Sequence, residues 1–241
     1  MEAIKIIYEF VFPDGKSHVS KVRINAQTLD QELDGGRLLP EWTLLNFHQC
    51  PNCPLNPTTT PHCPVAVNLV KLVNDTGDLH SYDEVEVRIT TPERTISGIT
   101  TAQRGISSLL GLTMATSACP HTSYLKPMAR FHLPFASEEE TLFRATSMYL
   151  LAQYYLYKQG GAADLELEGL NDIYKNLQII NNSLAERLRA ASDQDAAVNA
   201  IILLDLFAKA FPYCIEESME EIRYLFTAFL NFHDSFGKKK A

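Results

Sequence analysis

Four cysteines in this chain are each followed directly by proline: Cys50 and Cys53 in QCPNCPL, Cys63 in PHCPV and Cys119 in SACPH. A C-x2-C turn delivers two thiolates from one short loop, and two more brought in by the fold complete a four-sulfur set. The spacing therefore predicts a metal centre held by Cys50, Cys53, Cys63 and Cys119. Soft sulfur ligands suit a [4Fe-4S] cluster, one thiolate per iron, or a single zinc ion. One close pair with two single cysteines, proline stiffening the loop beside each sulfur, and no glycine after the pair all favour the cluster, serving electron transfer or redox sensing. The alternative is a zinc-stapled structural or interaction protein whose helical half recruits a partner. A third reading, Cys119 as a nucleophile with His121 beside it, leaves the other three Cys-Pro units unexplained. Cys214, in FPYCIEE, lacks the proline and reads as a small buried residue.

Several other side chains cluster with these cysteines in sequence. His48, His62 and His121 read as supporting groups that donate N–H to sulfur or to loop carbonyls, although an imidazole can replace one thiolate in mixed sites, and His48 is left open between the two roles. In KPMARFHLPFA, Arg130 is positioned to balance cluster charge, or else the segment is a packed connection into the second half. Nucleotide-binding glycine loops, the G-x-S-x-G elbow, the H-E-x-x-H zinc motif and paired E-x-x-H motifs are absent, so no enzyme class is indicated.

The elements that must carry these groups change character midway. Ile4, Ile6, Tyr8, Phe10 and Phe12 alternate with polar residues, and Asp14-Gly15 turns the chain into HVSKVRI; EVEVRIT and TISGIT repeat the pattern around TPER. Two β-hairpins forming a small antiparallel sheet are expected. Helices are expected over PVAVNLVKLVND at 64–75, which opens on proline, and over the segment ending near Cys119. From Ser137-Glu138-Glu139-Glu140, a capping box, the period becomes helical. Four helices follow, the second carrying a stripe from Leu167 to Leu188, the third stopped by Pro212, and the fourth over EESMEEIRYLFTAFLNF. Tyr149, Tyr154, Tyr155 and Tyr157 are assigned to the bundle interior. The expected class is α+β, with a hairpin and cysteine region over 1–136 and a helical bundle over 137–241, packed together as one unit.

The bulk composition bounds the partners. Twenty-one basic against 29 acidic side chains give a net charge of −8, which disfavours nucleic acid or an anionic membrane surface. The opening MEAIKIIYEFVFPDG is unlike a signal peptide, and the longest apolar run, AIILLDLFA, is short and carries Asp205. A cytoplasmic protein with a redox or signalling partner is expected, and closely spaced cysteines in a reducing compartment favour metal over disulfide. The oligomeric state is not readable.

The strings FHQCPNCPL, PHCPVAVNL, TTPERT, LLGLTMATSACP and MARFHLPFASEEET together resemble an uncharacterised bacterial family, a domain of unknown function with four Cys-Pro positions. The resemblance extends to about residue 160 and implies no activity.

Overall fold

The computed structural model describes residues 3–33, 35, 38–76, 79–191 and 196–236. Strands β1 (Ile4–Val11), β2 (Ser17–Ile24), β3 (Glu84–Thr90) and β4 (Thr95–Thr101) form one antiparallel sheet in the order β2-β1-β3-β4, so the two expected hairpins are joined through β1 and β3. Gly15 turns the first hairpin at φ +84°, a backbone region open to glycine at little cost. Ile6, Tyr8, Phe10, Val85, Val87 and Ile89 are buried on one face, while Glu9, Glu86 and Arg88 pair on the other. Period two in the sequence thus becomes one dry and one wet face.

The helices are α1 (Pro64–Asp75), α2 (Ala102–Ala115), α3 (Lys126–Arg130), α4 (Glu138–Lys158), α5 (Glu168–Ala191), α6 (Ala196–Ile222) and α7 (Thr227–Phe236). Helix α2 lies directly on the sheet at Gly105, where an added Cβ would stand 2.8 Å from Phe10 Cε1 and 2.9 Å from Val87 Cγ2. Helix α6 packs against α2 on one side and α5 on another. One core therefore runs from the strands through Leu109 and Leu110 to Leu170, Leu177, Leu188 and Ile201. Ser137 and Glu140 form the expected capping box at the start of α4. Among the described residues no helix is long and apolar enough to cross a membrane.

Two expectations are corrected. Pro212 does not stop the third bundle helix: α6 continues through it to Ile222, and the break comes at a 3-10 turn, Arg223–Phe226. A proline within a helix deprives the carbonyl four residues earlier of its donor. That carbonyl, Ala208 O, instead accepts a hydrogen bond from Gln178 Nε2 of α5 at 2.8 Å, so a neighbouring helix compensates the lost bond. Of the four tyrosines assigned to the interior from α4, only Tyr149 is buried, while Tyr154, Tyr155 and Tyr157 are exposed. The buried stripe of α4 is Leu142, Ala145, Thr146, Tyr149 and Gln153, and the other three tyrosines fall off its helical spacing. The side chain of Cys214 lies outside the described residues.

Candidate metal centre

The cysteine loop is held by a short backbone ladder. A 3-10 turn, Glu41–Thr43, opens it, and Leu45 N–H donates to Pro61 O while Cys63 N–H donates to Thr43 O, both at 2.8 Å. His62 belongs to this ladder: its Nδ1 is 2.8 Å from the Thr43 hydroxyl, which donates to Pro40 O at 2.6 Å. It supports the loop's frame at one remove from sulfur.

Each cysteine sits at a local feature of the backbone. Cys53 N–H donates to Cys50 O at 3.0 Å, making Cys50–Cys53 a turn with Pro51 at the position where a fixed φ is favoured. Cys63 is the residue before α1, and Pro64 occupies the first helical turn, where a missing N–H costs nothing. Cys119 follows α2, its N–H near Ser117 Oγ at 3.3 Å and its carbonyl accepting from Ser123 N–H at 3.1 Å. Pro51 and Pro64 thus shape the backbone beside their cysteines.

Cys50, Cys53, Cys63 and Cys119 line one cavity of about 30 Å³. His121 and Arg187 share its wall, with Ile180, Ser183 and Leu184 of α5 completing the apolar side. All four thiols are free and half-buried. Burial pushes the Cys50 thiol up to about 11; a hydrogen bond with Ser183 works against this, and the three neighbouring cysteines add to it. Burial also raises Cys63, opposed by the Ala66 and Val65 amides at the start of α1 and by Arg187. Cys63 makes no side-chain capping hydrogen bond, so those amides act as dipoles aimed at the sulfur. Among the described residues, no three Cys, His, Asp or Glu side chains close into a shell for a single metal ion; the thiols instead ring the cavity.

Arg187 is the residue that sequence reasoning missed. It is 2% exposed, and its guanidinium donates to the carbonyls of Trp42 at 2.5 Å, Leu44 at 2.7 Å and Leu45 at 3.4 Å. Its Cζ lies 5.8 Å from the Phe47 ring centroid. Burial holds it below its ordinary value, with Cys63, Cys50 and Cys53 opposing that shift. No carboxylate pairs with it among the described residues, so the ionisable groups that act on this buried cation are the thiols of Cys63, Cys50 and Cys53. Its one sequence signal was a charge within the apolar stripe of α5, three residues from Leu184 and beside Leu188.

The chain as a whole matches the model of a family described as Domain of unknown function (DUF6901) over residues 6–227. The chain belongs to this family. No curated protein and no solved structure matches it significantly.

The remaining candidates fall where the DUF6901 fold, not sequence proximity, puts them. His121 Nε2 is 2.8 Å from Asn52 O, inside the C-x2-C turn, so its N–H holds the loop and that nitrogen is not free to act as a base toward Cys119. Asn52 Nδ2 donates to Asn176 Oδ1 of α5 at 2.8 Å, a second tie on the same turn. His48 stands outside the cysteine cavity, with φ +48°, its ring 5.0 Å from that of Phe47, in the wall of a neighbouring cleft. Arg130 is placed elsewhere: it pairs with Glu93 at 3.4 Å and lies over Phe131, and does not line the cavity. Its segment forms α3, while Arg187 supplies the cation that faces sulfur.

Proposed function

We propose that Cys50, Cys53, Cys63 and Cys119 bind a metal centre, and that this centre is a [4Fe-4S] cluster used for electron transfer or redox sensing. The observation that carries the reading is the pairing of four thiols with Arg187 in one small cavity. A guanidinium 2% exposed and bonded only to neutral carbonyls needs an anion nearby, because an uncompensated buried charge costs several kcal/mol. The Cys50 and Cys63 thiols, pushed up by burial, do not supply one at neutral pH, whereas metal binding deprotonates its cysteine ligands. Metal-bound thiolates therefore satisfy the cation. Thiols that ring a cavity, one per iron, suit a cluster. With all four ligands cysteine, no iron is left open for substrate, which favours electron exchange over catalysis.

A second reading is favoured by the cavity's size. About 30 Å³ suits a single ion, and four thiolates on Zn2+ at about 2.3 Å would staple the loop to the segment that follows α2 as a structural site. Anaerobic purification with visible absorbance, iron and acid-labile sulfide analysis decides between them. A brown protein with iron and sulfide in equal amount is expected. A colourless protein with one zinc per chain would sink the cluster and keep the ligand set, and a protein that binds neither would sink both.

A further inference from the structure

We propose that the cleft between α5 and α6, beside the cysteine cavity, binds a small zwitterionic molecule that carries an amino group at one end and a carboxylate at the other. The cleft measures about 560 Å³, within the range of small-molecule sites. His48 and Gln49 form its outer wall, and Ser183 lines both it and the cysteine cavity.

Helix register sets its two ends. Gln178 of α5 meets Ala208 of α6, so counting in opposite directions places Asn181 beside Asp205 and Ala185 beside Ile201, all of which line the cleft. From Asn182 to Arg189 the cleft extends about 10 Å at 1.5 Å per residue. At the first end Asp205 is 8% exposed and pairs with Lys209 through Oδ2, while its Oδ1 is buried with no hydrogen-bond partner among the described residues. A buried carboxylate oxygen without a donor is costly and calls for one. At the other end Arg189 bonds Glu186 through Nη1 and is half exposed, which leaves guanidinium donors turned to solvent for an anion. Asn181, 3% exposed, adds a polar floor, and Ile201, fully buried, an apolar one. An amino nitrogen on Asp205 and a carboxylate on Arg189 match these ends in sign, in exchange for Lys209 and Glu186, which line the same cleft.

The inference stands whether or not the cysteines hold metal. The test is thermal unfolding of the full chain with millimolar γ-aminobutyrate or 5-aminopentanoate, against putrescine as a cation alone and succinate as an anion alone. The zwitterions are expected to raise Tm by roughly 3 to 6 °C at ten times the dissociation constant, with no shift from the other two. Asp205→Asn, isosteric, and Arg189→Gln, at the half-exposed rim, should each abolish the shift, while Cys119→Ser should keep it. The proposal is overturned by no shift from either zwitterion, by equal shifts from putrescine or succinate, or by a shift that survives either cleft substitution.

Discussion

Two buried polar regions of this molecule differ in whether they satisfy themselves. On the sheet side, the Tyr8 hydroxyl bonds His132 Nε2 and lies 2.9 Å from Ser108 Oγ, a closed set. Burial pushes the Tyr8 hydroxyl well above its usual value and holds His132 down at about 4, with the nearby Arg144 adding to the latter. A neutral imidazole accepts from Tyr8, and Arg144 donates to the carbonyls of Met128 and Phe131 at 3.0 and 2.9 Å. Arg187 makes the same kind of carbonyl bonds, but four thiols share its cavity and, among the described residues, no carboxylate pairs with it. The first region is complete with protein atoms alone and reads as structure. The second has a buried cation whose counter-charge depends on thiol deprotonation, and reads as a site.

The comparison can be broken most forcefully at the metal. Cys119→Ser should reduce bound metal to below a tenth of the native amount, as judged by elemental analysis, and Cys214→Ser should leave it unchanged. Equal loss at both would remove Cys119 from the ligand set. Arg187→Met comes next. It strips three carbonyls of their donor and leaves the bound centre's charge uncompensated, with an expected cost of about 3–5 kcal/mol in urea unfolding of the metal-loaded protein. If that variant is as stable as the native chain, the contrast drawn between the two regions fails.

The sheet-side network offers a pH test. His132 has a folded value of about 4 against an ordinary 6.5, so the unfolded chain takes up a proton that the folded chain refuses. Its contribution is full above pH 6.5, falls as pH drops from 6.5 toward 4 and then levels off, at a slope approaching about 1.4 kcal/mol per pH unit. Urea melts of the native chain and His132→Gln across this window should therefore differ in slope, the variant's being shallower. Parallel slopes would mean that the imidazole takes up its proton in the fold as readily as in the unfolded chain. Tyr8→Phe removes the shared hydroxyl and should cost about 1–3 kcal/mol, with metal content unchanged. The smallest effect lies outside both regions. Ser137→Ala removes the capping hydrogen bond of α4 and should cost about 1 kcal/mol, a control that mild destabilisation alone does not release metal.

Much of the fold was legible because its signals are local. Alternation along β1 and β3, the turn at Asp14-Gly15, proline opening α1 and the Ser137 box each depend on residues a few positions apart, and each element formed as its pattern required. Pro212 was misread because its lost bond is compensated by Gln178, 30 positions away from Ala208. Arg187 was missed for the same reason at larger scale, since its acceptors lie 142 to 145 residues back along the chain. Arg130 was a candidate for lying near Cys119 in sequence, a proximity that α3 turns away toward Glu93.

By itself the sequence determined the four Cys-Pro units, the strands and helices that flank them, and the chemistry four thiols permit, because residue type and short spacing dictate these. Only the tertiary structure decided that Cys119 returns to the C-x2-C turn, that α5 closes the cavity with Arg187, and that His48 and Arg130 stand apart from it. Those outcomes depend on which apolar faces bury against one another, and the burial of α2 and α5 on the shared core brings distant side chains together without a local trace.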